Sequence, residues 1–324
     1  MLNRLKGILD EFYQNQRAIN IMYAIHVLKN NLVMKAKGFE GSRDIYKKTT
    51  YALVKKLNSK EIRKFKSKVN SNSTPYKDQK VPIWVCWWQG EENMPEVVKL
   101  CFESLKKNTP DIAQINLITL ENYKKYIDIP DHILQKFKDN KISYTFLSDV
   151  LRFQLLHQHG GLWIDSTVYV ASPIEKSVLK SEYFTHRRVG HSNSISEANY
   201  SSFLVGGYKG HNIFAFMNEV FSEHLKKYDK IPDYWYVDYA MRMAFDDIPA
   251  LSKAIRAVPY NNPNIWLLNE QLNQPFDDKL TKKLFTTTSF FKLTYKRELK
   301  THTEDGKLTT YGHLIHKHLS PNTP

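Results

Sequence analysis

Two adjacent glycines, Gly160 and Gly161, divide one apolar stretch into a helix that must stop and a strand that must start. Ahead of them Ser148 reads as a helix N-cap, with Val150, Leu151, Phe153, Leu155 and Leu156 following as an apolar set. Asp149 then falls in the first turn, where the helix dipole favours a carboxylate, and Arg152 lies three residues further along the same face. The glycines end the helix because a left-handed exit carries little steric cost only where there is no Cβ. Beyond them Leu162-Trp163-Ile164 runs apolar into Asp165, and Thr167-Val168-Tyr169-Val170 resumes a β-rich pattern. Read as a continuing strand, that segment puts Asp165 and Thr167 on one side. A carboxylate closing a buried strand, beside a helix start bearing Asp and Arg, is a place to hold a charged ligand.

This junction sits inside a longer alternation. Residues 81–88 read as a strand, 95–106 as a helix turning Val97, Val98, Leu100, Cys101 and Leu105 inward, 115–119 as a strand and 131–137 as a helix. Strand–helix alternation implies an α/β, mainly parallel, Rossmann-type sheet with helices on both faces, whose ligands bind outside the carboxyl ends of the strands. Trp87 and Asp165 both fall at such ends, whereas Trp84 alternates to the other side and belongs to the core. Further on come a strand at 203–205 ending in Gly206-Gly207, a helix over 212–226 and an aromatic-rich segment at 232–245. That segment embeds Asp233 and Asp238 among Tyr and Trp, the composition expected where sugar rings stack. His313 and His316 share a helical face near His318, which reads as a polar tail rather than a metal site.

Charge divides the chain. The first 80 residues carry 18 Lys and Arg against 6 Asp and Glu, while the remainder is nearly balanced. Residues 1–80 therefore read as a basic helical module and 81–324 as the main domain. Helical stretches over 4–37 and 43–69 are separated by Gly38 and Gly41, and Asn70-Ser71-Asn72-Ser73-Thr74-Pro75 is a linker by composition. Such a module suits docking on an anionic membrane surface, or packing as a solvated hairpin on the main domain or on a second copy. Its basic residues follow no nucleic-acid recognition motif, so no such partner is expected. With 42% hydrophobic and 13% aromatic residues there is ample material for a packed core, and disorder is not expected. Cys86 and Cys101 lack C-x-x-C spacing and read as buried thiols in a reducing compartment. No signal peptide and no run of ~18 apolar residues is visible, which points to a soluble or peripheral protein.

The run S-D-x-L-R … G-G-x-W-x-D-x-T between Ser148 and Thr167 resembles the nucleotide-sugar signature of bacterial capsular polysaccharide synthesis glycosyltransferases. Those enzymes are related to glycosyltransferases with an Asp-x-Asp motif in a GT-A fold. Ile83-Trp84-Val85-Cys86-Trp87-Trp88-Gln89-Gly90 resembles the family's first strand, and Phe291-Lys292-Leu293-Thr294-Tyr295-Lys296 its closing element. The resemblance implies a GT-A-like enzyme moving a sugar from a nucleotide donor, a UDP-sugar first, to a capsular or other surface polysaccharide, with 81–210 as the nucleotide-sugar-binding half and 211–324 as the acceptor-side half. It further implies a lipid-diphosphate-linked acceptor, a cytoplasmic setting and retention of anomeric configuration.

By that resemblance Trp87 covers the base, Arg152 approaches the diphosphate or sugar, and Asp149 accepts hydrogen bonds from sugar hydroxyls. Lys292 would lie over the diphosphate, Asp165 would be the central catalytic carboxylate, and Asp165 would ligate a divalent ion, Mn or Mg. Asp165-Ser166-Thr167 departs from Asp-x-Asp by a hydroxyl in place of the second carboxylate, so Thr167 would act through water or on the sugar. Asp238 would position the acceptor hydroxyl or stabilise an oxocarbenium-like state. Without the resemblance the residues have plainer roles: an Asp–Arg pair three apart is usually a surface salt bridge, and lysines on an edge strand need no function. Two other functions fit the same residues: a sugar-phosphate transferase attacking phosphorus, and a non-catalytic nucleotide-sugar-binding scaffold.

Overall fold

A computed structural model describes residues 2–67, 73–76, 79–190 and 193–319. Seven strands follow in chain order: β1 (Val81–Cys86), β2 (Ala113–Ile118), β3 (Gly161–Ile164), β4 (Val168–Val170), β5 (Tyr183–Thr185), β6 (Leu204–Gly207) and β7 (Phe290–Lys292). Five make the central sheet in the order β2-β1-β3-β6-β5, and β4 pairs with β7 in a separate antiparallel ribbon. β1 lies parallel to both β2 and β3, while β6 is antiparallel to β3 and β5. Four of the five strands thus share a direction, as a mainly parallel sheet requires, and β6 alone opposes them. Central β1 buries Val81, Ile83, Trp84, Val85 and Cys86, so it reads as a continuous apolar run rather than an alternating one.

The helix Glu96–Asn108 carries the chain from β1 to β2, and the helices Asp131–Lys138 and Tyr144–His159 carry it to β3 on the other side of β1. Successive connections therefore leave β1 in opposite directions, which opens a crevice at the carboxyl ends of β1 and β3.

The helix before the glycines starts earlier than expected. It spans Tyr144–His159, capped by Ser143, whose side chain accepts from Phe146 N at 3.2 Å. Ser148 lies inside it, donating to Tyr144 O at 2.9 Å and accepting from Trp88 Nε1 at 2.7 Å. Asp149 is accordingly in the second turn, buried, and not at the dipole's positive end. The helix does end at Gly160 (φ 69°), and at Gly161 (φ 102°) a Cβ would come within 2.2 Å of Pro82 O on β1. Glycine there lets β3 lie close beside β1. The expected continuous strand through Asp165 is a turn instead: Val168 N donates to Asp165 O at 2.9 Å, and the chain leaves the sheet for the β4–β7 ribbon.

The N-terminal helices are Leu2–Ala18, Ile21–Leu57 and Ser59–Lys66. The break falls at Asn20, whose side chain caps Tyr23 N at 2.9 Å, whereas Gly38 (φ 70°) only kinks the second helix. These helices lie against the later part of the chain. Tyr51 OH donates to Asp246 Oδ2 (2.9 Å), Tyr236 OH to Asn58 Oδ1 (2.9 Å) and Lys227 to buried Glu61 (2.8 Å), while Phe65 packs edge-on against Phe216. Val54 and Ile62 belong to the same buried cluster as β1 and β3.

Of the expected linker, Asn70, Ser71 and Asn72 lie outside the described residues, and Thr74 N donates to Lys209 O at 3.1 Å. Both cysteines are free and buried. His318 meets Tyr169 OH at 3.0 Å and His313 stacks on Phe276. Among the described residues no helix is long and apolar enough to cross a membrane.

Candidate active site

Asp165 hangs from the end of β3, fixed by its own N–H donating to Phe203 O at 2.9 Å. Its two carboxylate oxygens are both engaged. Oδ1 accepts from Trp163 Nε1 (2.8 Å) and Arg152 Nη2 (3.1 Å), and Oδ2 accepts from Lys292 Nζ (2.7 Å). The same ammonium donates to Thr167 Oγ1 at 2.8 Å. Lys292 reaches this point because the β4–β7 register sets it opposite Val168, while Leu293 N donates to Thr167 O at 2.8 Å. The turn and the ribbon thus bring Asp165 and Thr167 onto one cation.

Arg152 lies deeper. Only 5% exposed, it sits over the Trp163 ring and within 3.2 Å of Asp149 Oδ1, so it meets Asp165 from beneath and reaches a ligand only through that carboxylate. Its Nε and Nη1 find no hydrogen-bond partner among the described residues. Asp238, on the helix Tyr236–Asp247, completes the group: its Oδ1 accepts from Ser202 Oγ at 3.4 Å, and it senses both Arg152 and Asp165 electrostatically.

The three carboxyls are pushed apart in acidity. Burial works against ionisation of Asp165, yet Lys292 and then Arg152 outweigh it and hold that carboxyl below its usual range. Burial raises Asp149 to about 7, opposed by Arg152 and reinforced by Asp165 and Asp238. Burial likewise lifts Asp238 to about 6 against Arg152 and Ser202. One carboxylate held ionised by cations therefore stands beside two that burial shifts upward, an arrangement found at acid–base sites.

Trp87 follows β1 at the mouth of the crevice, half-buried, its Nε1 donating to Asn93 O at 3.2 Å. Tyr295 meets it edge-on at 5.8 Å, so the aromatic element after β1 and the closing segment join. Lys296 lies beyond the end of β7 and is exposed. Asp233 is a brace, accepting from Tyr46 OH at 2.5 Å and from Trp235 N at 2.7 Å.

Trp163, Ser202 and Phe203 were not expected here. Trp163 could have been found from its position two residues before Asp165 on the same strand face. Ser202 and Phe203, the latter beneath the Lys292 ammonium at 5.1 Å, arrive through the antiparallel β6, and no local signal marks them. A surface cavity bounded by Glu91, Glu92, Lys99, Phe102, Glu103 and His318 shares no residue with this cluster.

The donor set does not fit the expected divalent ion. Both oxygens of Asp165 are taken by cationic or N–H donors, and an ammonium already bridges Asp165 to Thr167. Among the described residues no group of three or more His, Cys, Asp or Glu could hold a metal.

Residues 29–314 match the family described as capsular polysaccharide synthesis protein. The chain belongs to that family. Two solved structures are distant likenesses. PaToxG glycosyltransferase is 15% identical with a TM-score of 0.37, the match covering 85% of this chain and 94% of that one. The apo WbbM bifunctional glycosyltransferase is 11% identical with a TM-score of 0.40, covering 78% of this chain but only 51% of that one. No curated protein matches the sequence.

Proposed function

We propose that the protein is a glycosyltransferase of capsular or related surface-polysaccharide synthesis. It would use a nucleoside-diphosphate sugar, a UDP-sugar first, in a GT-A-like crevice. The supporting observation is the Lys292–Asp165–Arg152 chain of charge at the carboxyl ends of β1 and β3, where open α/β sheets bind ligands. The donor base lies against Trp87 and Tyr295, with its diphosphate toward Lys292. The acceptor hydroxyl approaches from the Asp238 side, near exposed Tyr234 and Trp235.

In the reaction the acceptor oxygen bonds to the anomeric carbon while the bond from that carbon to the diphosphate oxygen breaks. The diphosphate leaves with the electron pair, and the hydroxyl proton passes to it or to Asp238. Lys292 stabilises the charge that grows on the leaving group. Entry of the acceptor on the face the diphosphate leaves gives retention. Asp149 is too deep to meet solvent and tunes Arg152 instead.

The acceptor is assigned as a saccharide on a lipid diphosphate, with the enzyme peripheral on the cytoplasmic face of the membrane. The N-terminal hairpin supports this assignment. Leu9, Tyr13, Ile21, Ile25 and Leu32 are 40–56% exposed, beside exposed Lys29, Lys35 and Lys37.

The deciding experiment is a donor panel scored by nucleotide release on purified protein, run beside Asp165→Ala. Removing the carboxylate should lower turnover by about two orders of magnitude or more. It also strips buried Arg152 of a partner, at a cost of about 3 kcal/mol in denaturant melts. Undiminished turnover would take Asp165 out of the mechanism.

A further inference from the structure

We propose that the Lys292 ammonium takes the place of a divalent cation, so that the site holds a nucleoside diphosphate without a metal ion. The inference deepens the glycosyl-transfer assignment and takes from it only the class of ligand.

Geometry carries it. Lys292 Nζ lies 2.7 Å from Asp165 Oδ2 and 2.8 Å from Thr167 Oγ1, at the point between the two side chains that a shared cation would need. An ammonium has three donors, and these two contacts use two of them. The third has no hydrogen-bond partner among the described residues, and the side chain remains 17% exposed, so an oxygen of an incoming diphosphate can take it.

Charge agrees. Lys292 and Arg152 already set two positive side chains against the Asp165 carboxylate. A metal ion entering here would meet the repulsion of an ammonium already seated on Asp165 Oδ2 and Thr167 Oγ1. Asp165 thus becomes the residue that positions two cations rather than a ligand to one. The hydroxyl at Thr167 suits this: an ammonium accepts a neutral oxygen partner readily, whereas a hard divalent ion favours a second carboxylate.

The test uses the full chain, stripped with a chelator and titrated with UDP and GDP by calorimetry, with and without Mn²⁺. Binding of the preferred nucleotide should agree within about twofold in the two conditions. Electron paramagnetic resonance should detect no Mn²⁺ bound to the wild type. Lys292→Ala, checked for a native melting profile, should lose about tenfold or more of its metal-free affinity. It should also acquire a Mn²⁺ signal, since Asp165 Oδ2 and Thr167 become available.

Wild-type nucleotide binding that collapses on chelation would overturn the proposal, as would a Mn²⁺ signal already present with Lys292 intact. Metal-free diphosphate binding without nucleotide release from any donor would sink the transferase assignment and leave this inference standing. A metal-dependent, active enzyme would do the reverse.

Discussion

Asp165, Asp149 and Asp238 are chemically the same side chain in three electrostatic settings. Asp165 has two cations within 3.1 Å, and its lowered pKa means that its ionised form stabilises the fold. That contribution is present above the ordinary carboxylate range and is lost as pH falls. Asp149 has the opposite sign. Burial lifts it to about 7, so folding favours its protonated form, and the stability it contributes at low pH drains away as pH rises toward and past 7. Asp149→Asn cannot ionise and should be more stable relative to wild type at pH 8 than at pH 5, by about 1–2 kcal/mol. Urea denaturation at the two values measures this, and a difference of the reverse sign would show Asp149 to be held ionised. The Ser148-to-Arg152 motif marked these residues, yet nothing local said that Asp149 is buried. Exposure of a helical residue is set by what packs on it, and here Asp149 is buried together with Arg152, 3.2 Å away.

Among the elements, the N-terminal hairpin makes the clearest case for a second surface. Ile21, Ile25 and Leu32 fall on one stripe of the Ile21–Leu57 helix at helical spacing, and all three are at least 40% exposed. The later part of that helix turns inward and packs on the later chain through Tyr46, Tyr51 and Lys55 on Asp233, Asp246 and Asp247. If the stripe meets lipid, the full chain should sediment with vesicles containing anionic lipid and less with neutral ones, and salt should weaken it. Replacing Ile21, Ile25 and Leu32 together by Ser should cut sedimentation by about tenfold while turnover on a soluble acceptor persists. A concentration-dependent dimer abolished by the same substitutions, with no vesicle binding, would identify the stripe as a contact between copies.

For the whole molecule, connections leaving β1 in both directions and the return of β7 through the ribbon converge on one crevice. Under the proposed transfer, attack in that crevice falls on the anomeric carbon, with the diphosphate as leaving group. Assays should release the nucleoside diphosphate, and NMR should show a product with the donor's anomeric configuration. Nucleoside monophosphate would mean attack at phosphorus, and an inverted product would rule out same-face displacement.

Local patterns in the chain were enough to set the order of strands and helices from Val81 to Ile164, the glycine junction before β3 and Asp165 at its end. Those features depend on near neighbours: backbone sterics at glycine and the periodicity of apolar side chains. Helix starts were ambiguous, because Ser143 and Ser148 both precede apolar runs and only packing against Trp88 places the second inside the helix. The partners of Asp165 were decided by tertiary structure alone. Arg152, Lys292 and Phe203 reach it from three separate elements, and residues distant along the chain meet only where sheet order and ribbon register close the intervening loops.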